Sequence, residues 1–466
     1  MTDIPATPRA SEAERFVRET RTTGAPRPPI TFRSLNADVL QLISRPGPVW
    51  TTIFVIDLVI LAIGLVALRN MIATGLGVEG WTRPVMWSWD ITNFVFWVGI
   101  AHCGTLVSAI LFLFRSHFRR AVYRIAEAMT VFGVLTAGIF PLIHVGRPWF
   151  GYWLVPYPNQ RGFWPNFRSP LEWDVFAVTT YLTISSVFFI VGLIPDVAVA
   201  RDNTNNKWLK LLYTVLSFGW TGAHHQWKHY YGAYLYFAAL ATPLVLSVHS
   251  VVSWDFAMAQ LPGWHSTIFA PYFVAGAIFS GVALVINLLI PIRSAFKLEH
   301  IVTLDHIEKL SKLVLLTSTI VGYSYLSEFF MAWYGPNPHE RDLFWWRATG
   351  HFAWAFWIMF TCNVILPLSL WFKPVRRNLP VLFVLMLFVN VGMWFERFVI
   401  IVTSLAHGFE PAVFQINYRM VTTGAAITAG AFAWFFMYFL IFVRVLPAFS
   451  IAEIKETLPP PVRGRR

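Results

Sequence analysis

Ten times between Trp50 and Leu446 the chain runs apolar for roughly twenty residues, and this recurrence limits the fold more than any motif does. At ~1.5 Å of rise per residue, a helix of that length crosses the ~30 Å hydrocarbon core of a bilayer. Transmembrane strands would give shorter, alternating segments instead, so the reading is an all-α polytopic membrane protein. Composition agrees. Of the 466 residues 56% are hydrophobic and 13% charged, and mean hydropathy is +0.56, too apolar for a soluble chain of this size.

The predicted spans lie at about 50–68, 91–114, 121–144, 174–194, 229–252, 268–292, 312–333, 353–372, 381–402 and 425–446. Residues 1–49 are polar and Pro-containing without an apolar core of signal-peptide length, and read as a cytoplasmic N-terminal arm. Residues 50–90 form the first span and an outer connector, 403–447 an outer loop and the tenth span, and 448–466 a basic cytoplasmic tail. Within the connector at 195–228, WLKLLYTVLSFGW has the apolar spacing of an amphipathic interfacial helix.

A net charge of +12 raises nucleic acid as a partner, but the distribution of the charge answers otherwise. With the N-terminus inside, the inner loops carry fifteen Lys and Arg and the outer loops eight, the bias expected of a membrane protein with both termini in the cytoplasm. The two cysteines, Cys103 and Cys362, lie inside spans and belong to no CxxC pair, so four thiolates for an iron–sulfur cluster or a c-type haem attachment are lacking. Thirteen histidines are present, yet they do not pair at matching depths as two haems would require, and no metal site is expected.

An ionisable side chain in a span costs ~2.5–3.5 kcal/mol on insertion scales, so each needs a partner, water or a role. Toward the outer face lie His144, Arg147, Asp174, Asp255, Glu328 and the pair Glu396–Arg397, and one pocket near the outer leaflet is the economical arrangement. Asp57, His102, Glu127 and Asn363 lie deeper, where His102 and Glu127 fit a proton path, with Glu328 as a further member. Trp-Asp recurs as Trp89-Asp90, Trp173-Asp174 and Trp254-Asp255, each at an outward helix end. Quinol oxidation would use such a set: hydrogen-bond partners for both ends of a ring, bases for two protons, and apolar walls for an isoprenoid tail. A proton-coupled secondary transporter, or a passive membrane anchor for a redox partner, would carry buried charge too.

The stretch from His144 to Asp174, HVGRPWFGYWLVPYPNQRGFWPNFRSPLEWD, reads as a structured lid stiffened by Pro and edged with Trp and Tyr. Together with GLIPD at Gly192–Asp196, it resembles the quinone-interacting membrane subunits of the polysulfide reductase C/NrfD family, most closely those of alternative complex III. The resemblance covers essentially the whole membrane region. It implies two four-helix bundles, 91–255 holding the quinol site and 256–402, flanked by one helix on each side. It implies His144, Asp174, Asp255 and Arg397 as the quinol-site residues, with Arg147, Trp173 and Glu396 beside them. It further implies menaquinol or ubiquinol as the bound molecule, an iron–sulfur protein on the outer, periplasmic side, c-type haem subunits, a second homologous membrane subunit and surrounding lipid, in a bacterial inner membrane. Nucleic acid is not among the expected partners.

Overall fold

The computed structural model describes residues 31–43, 46–155, 169–408, 418–456 and Leu458. The arm before Thr31, the middle of the lid stretch with Arg161 and Arg168, and the tail beyond Leu458 lie outside these residues.

In chain order the helices are α1 (Phe32–Leu40), α2 (Pro48–Thr74), α3 (Trp89–Leu113), α4 (Tyr123–His144), α5 (Pro170–Asn203), α6 (Lys207–Leu216), α7 (His224–Ala257), α8 (Phe269–Ala295), α9 (Leu304–Tyr334), α10 (Pro338–Thr349), α11 (Ala353–Trp371), α12 (Leu379–Ala406), α13 (Thr422–Val445) and α14 (Ile451–Lys455). All but α1, α6, α10 and α14 are long and apolar enough to cross a membrane, giving ten spans among the described residues. The chain is therefore a multi-pass, all-α membrane protein.

α3, α4, α5 and α7 close one ring of contacts, and α8, α9, α11 and α12 a second. α3 and α8 lie at the seam between the rings and are the two most deeply buried spans. α2 and α13 pair outside, where Gly64 and Gly430 meet so closely that a Cβ on either would fall within 3 Å of the other's backbone. α3 meets α4 through Gly104, where a Cβ would overlap the Ala126 carbonyl.

Several spans run past their predicted ends, α5 and α7 furthest into the sequence read as connector. The sequence predicts that α5 stops before Pro195, because proline removes an amide and disfavours helix in the residue before it. The helix continues through Pro195 to Asn203, and the Arg124 guanidinium donates to the Gly192 carbonyl at 2.6 Å. α7 likewise carries Trp254 and Asp255 inside its last turn. The predicted interfacial helix is α6, capped by Asn206 and exposing Trp208, Leu211 and Val215.

Candidate functional site

At one end of the first ring, the connector between α2 and α3 folds back over the start of α3. Asp90, expected in that connector, instead occupies the first turn of α3 and is fully buried. Its Oδ1 accepts from the Ser88 amide at 3.2 Å, and its Oδ2 lies 2.7 Å from Nδ1 of His144, the last residue of α4. A carboxylate on Nδ1 places the proton there and leaves Nε2 as the ring's free base. Trp81 and Trp87 pack against the His144 ring, with centroids at 5.1 and 6.3 Å. Gly146 then turns the chain at φ +78°, a conformation that favours glycine.

Nearby, the second turn of α5 and the last turn of α7 bring together Asp174 and Asp255, within hydrogen-bonding reach of each other. No donor reaches either oxygen of Asp174 or Oδ1 of Asp255. Two such carboxyls satisfy one another when a single proton lies between them. Trp173 and Trp254 meet edge to face at 6.1 Å, so two of the three Trp-Asp repeats converge as a pair. The third, Trp89-Asp90, supplies the partner of His144.

Arg397 and Glu396 belong to the second ring. Arg397 Nη1 is 3.0 Å from Glu396 Oε1, and the guanidinium lies over Phe273 at 4.1 Å. Tyr325 donates to Glu396 and receives the Asn363 amide at 2.9 Å. Glu328, expected on a path with His102 and Glu127, lies on α9 of the second ring, in the field of Arg347 and Glu396. Arg347 is itself held by Ser404 at 2.6 Å. α11 and α12 each contain a π-helical turn here, Thr361–Ile365 and Val399–Thr403.

The residues expected in one pocket thus fall into three groups: His144 with Asp90, Asp174 with Asp255, and Glu396 with Arg397. Among the described residues no hydrogen bond or ion pair joins the groups. An aromatic wall does: Trp87 touches His144 and Phe256, Phe256 follows Asp255 and packs on Phe273, and Phe273 underlies Arg397. Arg147 is exposed beside this region.

Deeper in the first ring, His102 stacks on Tyr181 at 4.4 Å and lies 4.9 Å from His249. Tyr181 donates to the Ala101 carbonyl at 3.0 Å, which also receives Thr130 at 2.7 Å, and Thr130 accepts the Thr105 amide at 2.9 Å. One turn further along α3, Ser108 donates to Glu127 at 2.6 Å, as does Tyr234 at 2.9 Å. Arg124 lies 3.6 Å from Glu127 and 2.9 Å from Asp196, and Arg119 bonds Tyr234 and pairs with Glu453 of α14. Polar side chains therefore run from His249 to the opposite end of the ring.

Asp90, Glu79, His249 and the Arg124–Asp196 pair have no place in the site that the sequence predicts. Asp90 had a signal, its place in the Trp-Asp repeat. Asp196 had another, the conspicuous GLIPD. Glu79, on the short turn Leu76–Glu79, had none, since only the folded connector buries it.

The family model described as polysulphide reductase, NrfD, matches residues 77–407. The chain is 26% identical over 392 residues to a protein of Halobacterium salinarum described as a membrane subunit of a dimethyl sulfoxide reductase, covering 80% of this chain and 82% of that one. It is 22% identical over 323 residues to a subunit of the selenate reductase of Mesobacillus selenatarsenatis, covering 66% and 71%. Spanning both helical rings from the buried connector to the end of α12, the match shows that this chain belongs to the NrfD family of membrane subunits of reductase complexes.

Proposed function

We propose that this chain is the quinol-binding and quinol-oxidising membrane subunit of a multi-subunit oxidoreductase of the alternative complex III type. The observation that carries the reading is a base with a free Nε2, His144, and a dicarboxyl pair, Asp174–Asp255, linked through the aromatic contacts of Trp87 and Phe256. Oxidising a quinol removes two protons and two electrons. His144 Nε2 takes one hydroxyl proton and the dicarboxyl pair the other, while the aromatic wall receives the ring. Electrons leave one at a time to an iron–sulfur protein docked at this end, beside exposed Trp149, Tyr152 and Trp153, and pass on to c-type haem subunits. The relatives named as reductase subunits support this direction of flow, since a reductase draws electrons from a donor.

In this reading the His144 end faces the outside of a bacterial inner membrane, both termini are cytoplasmic, and the assembly includes a second homologous membrane subunit. Protons are released outward. The polar run through His102 and Glu127 adds a route for proton translocation from the other side.

The test is quinol-dependent reduction of an external acceptor by the purified native assembly, with and without a quinol-site inhibitor. Inhibitable turnover with menaquinol or ubiquinol is expected. An assembly indifferent to quinol and inhibitor would instead be a transporter or a passive anchor.

A further inference from the structure

Glu79 is fully buried, and no hydrogen-bond donor is in place on either of its carboxyl oxygens. The groups nearest it are the Trp81 indole, the Asp90 amide and the Asp90 carboxylate. Tyr418, from the chain between α12 and α13, is the other titratable group facing it, and bonds Ser88 at 2.7 Å. Asp90 in turn holds His144, so three protonatable groups stand in a row: imidazole, carboxylate, carboxyl.

The turn that carries Glu79 is set between Gly75 and Gly80, both at positive φ, and its Gly77 is exposed. A movement of that turn would open Glu79 to solvent, whereas Asp90 is held by the Ser88 amide and His144. Burial and the Asp90 charge push the Glu79 carboxyl up to about 9, so it holds a proton at neutral pH.

We propose that Glu79 is the exit group for the proton that His144 takes from its substrate. The inference rests on the proposed role of His144 as base. A hydroxyl proton moves to His144 Nε2, and the ring, now cationic, offsets the Asp90 charge that held the proton on Glu79. The Glu79 proton leaves to the outer solution. The Nδ1 proton of the imidazolium then passes through the Asp90 contact to the Glu79 carboxylate, and a flip of the neutral ring turns its remaining N–H to Asp90, restoring a free ring nitrogen on His144 and a protonated Glu79. One proton enters at His144 and one leaves at Glu79. Glu79 never touches substrate and acts through His144.

The experiment compares the native assembly carrying wild-type chain, Glu79→Gln and His144→Ala, at equal amounts of assembled complex. Infrared spectra of the wild type show a protonated-carboxyl band that disappears on titration with a midpoint near pH 9 and is missing in Glu79→Gln. In quinol turnover, Glu79→Gln lowers kcat about tenfold with KM unchanged, and flattens the alkaline limb of the pH profile. A Glu79→Gln variant with wild-type kcat and pH profile beside an inactive His144→Ala overturns this inference and leaves quinol oxidation standing. A wild type without the band overturns it equally. No quinol turnover in the wild type removes the reading of His144 and this inference with it.

Discussion

The two helical rings handle buried charge in opposite ways. In the second, Glu396 pairs with Arg397 and is bonded by Tyr325, which Asn363 holds, and Glu328 lies in the field of the Arg347 guanidinium, which Ser404 holds. Among the described residues of the first ring, Asp90 stands with His144 and Asp174 with Asp255, while Arg124 and Arg119 pair with acids at the far end. An acid closed against arginine gains little by binding a proton, whereas an acid facing a histidine or a second acid has somewhere to pass one. In the proposed reading the contrast places the chemistry in the first ring and gives the buried pairs of the second a stiffening role.

The comparison breaks most visibly at the acid pair. Asp174→Asn is expected to lower quinol turnover by about 10²–10⁴-fold with the assembly intact, measured as acceptor reduction at equal amounts of assembled complex. Equal activity in the variant would move the second proton acceptor elsewhere. Arg397→Met should do the reverse. Leaving Glu396 buried and unpaired costs about 3–5 kcal/mol, read as a lower melting temperature or lost assembly, and the double variant Glu396→Gln/Arg397→Met should recover most of it. If Arg397→Met assembles normally and only turnover falls, Arg397 works on the substrate instead.

Glu127→Gln sharpens the view along the first ring. Electron transfer is expected to continue while fewer protons move per electron, measured by proton release from the assembly in vesicles. An unchanged ratio would make the Glu127 network a structural one.

The smallest effect is on stability at Glu79. Its folded carboxyl titrates near 9 against an ordinary glutamate value of 4.5, so between those limits the unfolded chain sheds a proton that the folded chain keeps. The folded state therefore loses stability relative to the unfolded one as pH rises from about 4.5 to about 9. Glu79→Gln removes that loss, and its melting temperature should exceed wild type at pH 8 by a few degrees and match it near pH 4.5. A difference independent of pH would show that Glu79 is ionised.

The ten spans were legible because length and apolarity alone decide them, and the pairing of Trp173-Asp174 with Trp254-Asp255 was foreshadowed by the repeat. Which face of each helix the charges occupy was not legible. Glu396 and Arg397 lie at a depth similar to Asp255, yet depth says nothing of azimuth, and one pocket was expected where three groups exist. Asp90 and Glu79 were hidden because a Gly- and Trp-rich connector gives no periodicity to show what it buries. The Arg124 bond to Gly192 was hidden too, since it depends on how α5 passes Pro195.

His144 tests the account most directly, as the residue on which both the quinol reading and the Glu79 inference depend. Quinol-dependent electron transfer should be compared in the native assembly between wild type and His144→Ala, at equal amounts of assembled complex. Loss of turnover with intact assembly is the predicted result. Full turnover in the variant would contradict it and take the first ring's base out of the reaction.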